Sequence, residues 1–287
     1  MAEGASALED LRREIDRIDD AIHDLLMRRT ELVGGIGAAK RGGRLNLRPA
    51  REAAILRRLI GRHHGPFPKS ALIRIWREIM GAFLHMQGTF TVAVATPHGE
   101  LAELARGHFG TMVQLRMSHS NGEVLSAVID GQAAVGLLPE PREGDKAPWW
   151  PLLCTPRGRG LKVAARLPFD DRGLPSLLVA ALDPEPSGAD RTLIGLRGRR
   201  DVSRAQLFAR SARAGLTARY LDAWEDEHRE PWFLAEVDRF VAPDDEAVGA
   251  VAAALDLQPD QVLVLGTYAE PLRAADLAAT PEGSPSP

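Results

Sequence analysis

The chain has a single cysteine, Cys154, among its 287 residues. One cysteine cannot form an internal disulfide bond, so the cytoplasm is the expected location. Long apolar runs are also missing, because runs such as 177–182 fall far short of the about 20 residues of a membrane-spanning helix. Residues 1–10 are acidic and contain no apolar stretch. We therefore expect neither a secretory signal peptide nor a membrane-spanning segment.

An excess of charge of either sign is absent. The chain has 36 Lys and Arg residues against 39 Asp and Glu, for a formal net charge of −3. Neither nucleic acid nor an anionic membrane is therefore expected as a partner. No spacing of His, Cys and acidic residues is typical of a metal site, so no metal is expected. The composition, 45% hydrophobic and 26% charged, is ordinary for a globular protein whose length allows two or three domains.

Helical periodicity dominates the N-terminal part of the chain. Apolar residues alternate in steps of three and four at Leu8, Leu11, Ile15, Ile18, Ile22 and Leu25. This heptad spacing predicts a long helix that packs on other helices, beginning at the capping box Ser6–Glu9 and ending near Lys40. Two more helices are predicted, one after Pro49 and one over about 69–87. Together they predict an all-α unit.

One position in the apolar stripe of the first helix is charged. Arg29 stands where the next apolar residue is due, and the stripe resumes at Leu32 and Ile36. A buried guanidinium is costly unless an anion pairs with it. Glu31, the nearest acid in sequence, faces another side of the helix. We therefore expect an anionic ligand from outside the chain to complete this site.

Helix geometry separates the cations of this helix into two groups. Arg29 and Lys40 share one face and lie roughly 16 Å apart along the axis, so their long side chains can converge on one small molecule. Arg12 lies about 25 Å from Arg29 in the other direction and cannot reach that molecule. If Arg12 also binds ligand, it serves a site on a partner chain, which the heptad stripe makes reasonable.

Several motifs stand in a specific combination along this helical unit. They are Leu11–Asp16 (Leu-Arg-Arg-Glu-Ile-Asp), Leu25–Arg29 (Leu-Leu-Met-Arg-Arg), Lys40, the pair Arg51 and Glu52, Ile75–Met80 (Ile-Trp-Arg-Glu-Ile-Met) and Gln87. As a set, over residues 6–88, they resemble the helical class of chorismate mutases. The resemblance implies an intertwined all-helical homodimer that converts chorismate to prephenate in the biosynthesis of phenylalanine and tyrosine.

The reaction that the resemblance implies is an intramolecular Claisen rearrangement, which requires no nucleophile, metal or cofactor. The protein must hold a dianion in a chair-like shape and stabilise the charge that develops at the breaking ether bond. By resemblance, Arg29 and Arg12 of the partner subunit clamp the two carboxylates, because the arginine fork matches the two oxygens of a carboxylate. Arg51 supports a carboxylate or orients its neighbours.

The other implied roles concern the ether oxygen and the substrate hydroxyl. By resemblance, Lys40 and Gln87 donate to the ether oxygen, and Glu52 accepts from the hydroxyl. The sequence departs from the family pattern at two places. Arg48 stands where many members have an acidic residue, and Phe83 stands where many have a small hydroxyl residue. Both departures would change individual contacts with the substrate.

Each candidate residue taken alone has a simpler explanation. Arg12 would be a solvated helix residue, and Arg29 would pair with an interfacial Glu. Lys40 near a helix C-terminus is favourable for the helix dipole in any case. Gln87 would cap the last turn, and residues 51–52 would be an exposed first-turn pair. The combination of all six favours the mutase.

Residues 90–183 have the order β-α-(β)-α-β, which predicts an α/β region. Within it, 90–141 resemble the start of a prephenate dehydratase domain, with Asn121–Pro139 as the best stretch. The region is much shorter than that family's catalytic domain and lacks the Thr-Arg-Phe motif that the dehydratases use in catalysis. We therefore expect an inactive, shortened remnant.

Residues 191–272 have the order βαββαβ, which predicts a ferredoxin-like α+β region. They resemble a regulatory ACT domain, with Val264–Pro271 as the closing strand. The family's phenylalanine-binding motifs are missing, and Val202–Ala205 and Leu221–Trp224 stand near those places. Residues 273–287 are predicted to be a disordered tail.

The sequence thus predicts a multidomain fold, with an all-α mutase domain followed by α/β and ferredoxin-like regions. Three functions remain open. The first is a chorismate mutase with degenerate C-terminal regions. The second is a bifunctional chorismate mutase–prephenate dehydratase. The third is a non-catalytic protein that senses a metabolite of the aromatic pathway.

Overall fold

In the computed structural model of the protein, the residues that can be described are 2–39, 47–96, 99–170 and 173–278. They divide into two compact units. The N-terminal unit is Met1–Arg44 with Met86–Gly88, and the sheet unit is Leu45–His85 with Thr89–Pro287. Within the described ranges, no helix combines the length and the apolarity that crossing a bilayer demands.

The N-terminal unit is dominated by one helix, α1 (Ala2–Ala39), of 38 residues. The prediction of a long helix is confirmed, but its predicted start is wrong, because the helix begins at Ala2, before the capping box expected at Ser6–Glu9. Its apolar stripe is open to solvent in the single chain, because the side chains along it are 50–66% exposed, namely Leu8, Leu11, Ile15, Ile18, Ile22, Leu25 and Leu32. Such a contiguous apolar surface is typical of an interaction site, since burying it would be favourable.

The second and third helices belong to the sheet unit for almost all of their length. They are α2 (Pro49–Gly61) and α3 (Lys69–Met86). Proline suits the first turn of a helix, where its missing N–H would have no partner. Five buried residues of the two helices form one apolar cluster with Phe169 and Leu272 from elsewhere in the unit; the five are Ala53, Leu56, Ile60, Ile73 and Met80. Helical periodicity alone does not indicate that contact.

Nine strands of the described residues form one mixed sheet. They are β1 (Thr91–Ala95), β2 (Gln114–Ser118), β3 (Val135–Pro139), β4 (Lys162–Leu167), β5 (Ser176–Ala180), β6 (Asp190–Arg197), β7 (Ala218–Glu225), β8 (Pro231–Val237) and β9 (Val262–Ala269). Their order across the sheet is β2-β1-β3-β5-β4-β9-β6-β8-β7. Strand β1 pairs in parallel with β2 and β3, and β6 to β9 pair antiparallel among themselves. The prediction of a helical N-terminal region followed by α/β structure is confirmed at this level.

Within the described residues, six α-helices follow β1. They are α4 (Gly99–Phe109), α5 (Asn121–Ile129), α6 (Pro151–Cys154), α7 (Arg204–Arg213), α8 (Glu246–Leu255) and α9 (Ala274–Leu277). The Ser203 side chain caps α7 by accepting from the backbone N–H of Gln206, and Gln206 completes a capping box. The short helix α9 lies within 273–287, the segment that the sequence predicts to be a disordered tail.

The regions predicted as 90–183 and 191–272 share the one sheet, because β4 pairs in parallel with β9 at Val163 and Gly266. Gly266 has φ +144°, and a Cβ there would lie 2.1 Å from the carbonyl oxygen of Val163. Only glycine permits so close an approach. The domain boundaries 6–88, 90–183, 191–272 and 273–287 stay a prediction, as does the ferredoxin-like classification.

Candidate active site

Two of the candidate substrate-binding residues lie on α1. Arg12 is exposed and its Nη1 is 3.5 Å from Oε2 of Glu9. Arg29 is half-buried, and burial lowers the pKa of its guanidinium. Because α1 is one continuous helix, the two arginines are separated by about 25 Å along its axis. They cannot both reach one small ligand bound to the same chain.

Of the two residues predicted to donate to the ether oxygen, Lys40 and Gln87, the structure describes only Gln87. Lys40 lies outside the described residues. Gln87 follows the end of α3, belongs to the N-terminal unit and is exposed. Their predicted roles at the ether oxygen therefore stay predictions.

Arg51 and Glu52 are neighbours in the first turn of α2, and they face different surroundings. Arg51 is exposed. The Glu52 side chain is only 19% exposed, and its Oε2 accepts a hydrogen bond of 2.7 Å from Nη1 of Arg77, whose side chain is 6% exposed. This is a buried, charge-assisted contact between α2 and α3. The alternative of an exposed first-turn pair is therefore wrong for Glu52.

The ion pair is enclosed by residues from the α/β part of the sheet unit. Nε2 of His108, at the end of α4, lies 3.4 Å from Nη1 of Arg77 and 4.0 Å from Oε2 of Glu52. The guanidinium carbon of Arg77 lies 5.7 Å from the centre of the Phe169 ring, which is cation–π distance. A small cavity beside the pair is also lined by Pro49, Ala53, Ala164, Ala165, Arg166 and Ala269.

Backbone packing brings His108 to this position. Gly81 of α3 lies against the end of α4, and a Cβ there would lie 2.0 Å from the carbonyl oxygen of Phe109. The two helices can approach this closely only because position 81 is glycine. The approach places the preceding residue, His108, beside Arg77.

Burial shifts the protonation equilibria of all three polar residues. It raises the pKa of Glu52, and the charge and hydrogen bond of Arg77 oppose that shift. Burial lowers the pKa of Arg77, and Glu52 opposes that shift in turn. The pKa of His108 is well below its usual value because of burial and the Arg77 charge. His108 is therefore a neutral imidazole near pH 7, next to a carboxylate–guanidinium pair.

Arg77 and His108 were missed as candidates by sequence reasoning. For Arg77 a signal was present, since it lies between Ile73 and Met80 on the apolar face of α3, just as Arg29 interrupts the stripe of α1. His108 gives no such signal, because its burial depends on the contact of α4 with α3.

The residue before α2 and the middle of α2 are hydrogen-bonded to the segment before β6, and the middle of α2 also to Glu270, which follows β9. Arg48, one of the two departures from the family pattern, pairs with both carboxylate oxygens of Glu185 at 3.1 Å. Arg57 donates to Oγ of Ser187 at 2.9 Å and to the carbonyl oxygens of Ala189 and Glu270 at 2.8 and 2.7 Å. These contacts fix α2 against the sheet unit at two points.

Phe83, the second departure, is 7% exposed. Where many family members have a small hydroxyl residue, this chain therefore has a ring in a packed position. Within the described ranges, no group of three or more His, Cys, Asp or Glu side chains is arranged to hold a metal ion.

Comparison with known proteins confirms the resemblance of the helical region. Residues 11–88 match the family model of chorismate mutase type II. The bifunctional chorismate mutase/prephenate dehydratase of Neisseria gonorrhoeae is 37% identical over 100 residues, which cover 34% of this chain and 27% of that protein. The enzyme of the same description from Stutzerimonas stutzeri is 29% identical over 142 residues, covering 47% and 39%. The chain thus spans at most about two fifths of the length of these relatives.

Solved structures align with a larger share of the chain. Among them is the X-ray structure of prephenate dehydratase from Streptococcus mutans, with a TM-score of 0.48 and 13% sequence identity. The alignment covers 64% of this chain and 100% of that one.

Proposed function

We propose that this chain is a chorismate mutase, which converts chorismate to prephenate by an intramolecular Claisen rearrangement. The observation that carries the proposal is the match of residues 11–88 to the chorismate mutase type II family. All six candidate site residues fall inside that segment, namely Arg12, Arg29, Lys40, Arg51, Glu52 and Gln87.

The chemistry requires binding and electrostatics rather than a reactive group. Arg29 and Arg12 of the partner subunit hold the two carboxylates of chorismate, and Arg51 supports one of them. Lys40 and Gln87 donate to the ether oxygen, where negative charge grows in the transition state. Glu52 accepts a hydrogen bond from the substrate hydroxyl. The bound chair-like shape removes most of the rotational freedom that the free substrate must lose.

The proposal includes a homodimer formed along α1. Its support is the exposed apolar stripe, on which side chains from Leu8 to Leu32 remain 50–66% exposed in one chain. A second copy that presents the same stripe would bury these side chains. It would also bring its own Arg12 to a site about 25 Å away from the first chain's Arg12, beside Arg29.

The direct test is the loss of chorismate absorbance after addition of the purified full-length chain. Saturable, enzyme-dependent loss with formation of prephenate is expected. Binding of chorismate without any loss of absorbance would contradict the proposed activity and favour the metabolite-sensing alternative.

A second candidate is a bifunctional mutase–dehydratase. The alignment with the Stutzerimonas stutzeri enzyme runs over 142 residues and so extends beyond the segment 11–88. The Thr-Arg-Phe motif is nevertheless missing from the sequence, and we expect no dehydratase activity. Formation of phenylpyruvate from prephenate, assayed without acid treatment and above the uncatalysed rate at neutral pH, would establish this candidate instead.

The region 191–272 is proposed to be a ferredoxin-like, ACT-like module. Its support is the antiparallel strand order β9-β6-β8-β7, with α7 and α8 between strands in the order that the sequence predicts. The missing phenylalanine-binding motifs suggest that phenylalanine is not its effector.

A further inference from the structure

The carboxylate of Glu52 is held by one of its two oxygens. Oε2 accepts from Nη1 of Arg77 at 2.7 Å and lies 4.0 Å from Nε2 of His108. Among the described residues these are the polar contacts of the carboxylate, and Oε1 accepts no hydrogen bond. Because 19% of the side chain is exposed, Glu52 is not sealed inside the protein.

Arg77 is itself held rigidly. Its side chain is 6% exposed, its guanidinium lies over the Phe169 ring at 5.7 Å, and His108 lies 3.4 Å away. A buried guanidinium loses its hydration, so the contact with Glu52 is not readily exchanged for water. The geometry of the carboxylate is therefore set by a neighbour that belongs to α3 and is fixed by α4 and by Phe169.

From this geometry we infer that Arg77 is a positioning residue of the mutase site, which fixes Oε2 of Glu52 so that the ionised carboxylate offers Oε1 to the substrate hydroxyl. The inference rests on the proposed function, because it takes Glu52 as the acceptor for that hydroxyl. Arg77 acts through Glu52 and touches no substrate atom. A protonated Glu52 would be a poorer acceptor and would compete as a donor.

The charges around Glu52 support this role. Burial raises the pKa of Glu52, and the Arg77 charge is the cause that acts most strongly in the other direction. Three other groups lie near the pair. His108 is neutral, and Arg166 lines the same cavity. The charge of Asp170 raises the pKa of Arg77. Removing the Arg77 charge leaves burial less opposed, so the pKa of Glu52 rises further. The ionised acceptor is then lost at a higher pH than in the wild type.

The test compares the pH dependence of kcat and KM in the full-length wild type, Arg77→Met and Arg77→Lys. In Arg77→Met the acid limb of kcat should move to higher pH by about one unit or more, so that kcat at the foot of the limb falls about tenfold. Arg77→Lys keeps the charge without the planar fork, so it should restore the acid limb toward the wild-type position.

Arg57→Met is the matched control. Arg57 lies 5.7 Å from the same Phe169 ring and holds α2 to the carbonyl groups of Ala189 and Glu270. It has no hydrogen bond to Glu52 in the described part of the chain. Its loss should lower the stability of the α2 contact and leave the acid limb in place. If the limb of Arg57→Met moved as far as that of Arg77→Met, or if neither moved, Arg77 would be a merely structural residue and the inference would be wrong.

Two further measurements keep the test decisive. If Arg77→Met does not fold, Arg77→Gln preserves a hydrogen-bond donor while removing the charge, and the same shift of the acid limb is expected.

Infrared titration of the carboxyl bands, assigned by difference from Glu52→Gln, reports the ionisation of Glu52 without turnover. An inactive wild type would refute the proposed function and with it the catalytic role of Arg77. A Glu52 pKa that stays unchanged in Arg77→Gln would refute the positioning role in an enzyme that is active.

Discussion

The helix α1 and the helix pair α2–α3 carry the same kind of apolar periodicity, yet their apolar faces have different surroundings. The stripe of α1 is 50–66% exposed in the single chain. The buried faces of α2 and α3 instead share a cluster with Phe169 and Leu272 of the same unit. Periodicity therefore specifies a helix and an apolar face, and it does not specify which surface covers that face.

A cation interrupts the apolar face of α1 and that of α3. The surroundings of these two cations differ as those of the two faces do. Arg77 finds its anion, Glu52, within the chain at 2.7 Å. Arg29, on α1, stands in the stripe for which we propose a partner subunit and an anionic substrate. A charge in an apolar face thus indicates a required counterion, and the identity of that counterion comes from the fold.

The largest effect is expected from Arg29→Ala. Losing a charge-assisted contact to a substrate carboxylate should lower kcat/KM by an amount that corresponds to roughly 2–5 kcal/mol of activation free energy. The protein should remain folded and keep the proposed dimeric state, because the stripe around position 29 is otherwise intact. Chorismate turnover and sedimentation measure the two properties separately.

Arg28→Ala is the control for Arg29→Ala. Arg28 is the preceding residue on α1 and is exposed. Its removal should leave kcat/KM within about twofold of the wild type, since isolated surface charges contribute little. Near-native activity of Arg29→Ala, or equal losses in the two variants, would contradict the assignment of Arg29.

The contact of α2 with the sheet unit predicts a second effect, on stability. Leu56 is 1% exposed in the cluster with Phe169, whereas Ile75 of α3 is 47% exposed. Leu56→Ala should lower the free energy of unfolding by about 3 kcal/mol through lost burial and the cavity left behind. Ile75→Ala should change it by about 0.5 kcal/mol or less. Urea denaturation followed by circular dichroism compares them, and similar costs would show that the cluster is not a stable contact.

Much of the local structure was predictable from the sequence because its signals are local. Pro49 indicates the start of α2, and alternating or continuous apolar runs indicate strands such as β1 and β9. The pairing of Val163 with Gly266 was not predictable, because no short-range pattern encodes which strands meet. The same holds for His108, whose position beside Arg77 depends on the approach of α4 to Gly81.

Mixing two inactive variants tests whether α1, unlike α2 and α3, contributes a residue to the site of a second copy. If α1 contributes to the site of a second copy, Arg12→Ala and Arg29→Ala affect different chains of the same site. After random subunit exchange, one heterodimer site has both arginines, and activity should recover to about a quarter of the wild-type value. Turnover is measured before and after exchange, which a labelled subunit confirms. No recovery after confirmed exchange would show that both arginines act within one chain, contrary to the helix geometry.

The smallest effect is expected at the exposed contact that holds the start of α2. Arg48 and Glu185 lie 3.1 Å apart, and their side chains are 54% and 45% exposed. An exposed pair of this kind contributes about 0–1 kcal/mol, because water screens the charges and two long side chains must be ordered. Arg48→Ala should therefore change the free energy of unfolding by less than about 1 kcal/mol, with a smaller difference at high salt. The double variant Arg48→Ala/Glu185→Ala isolates the pair from other effects of each truncation.

Arg48 also stands where many chorismate mutases have an acidic residue, so chorismate KM should be measured in the same variants. A large change in KM with little change in stability would place Arg48 in the substrate site, and an effect on stability well above 1 kcal/mol would show that the start of α2 depends on this pair more than its exposure indicates.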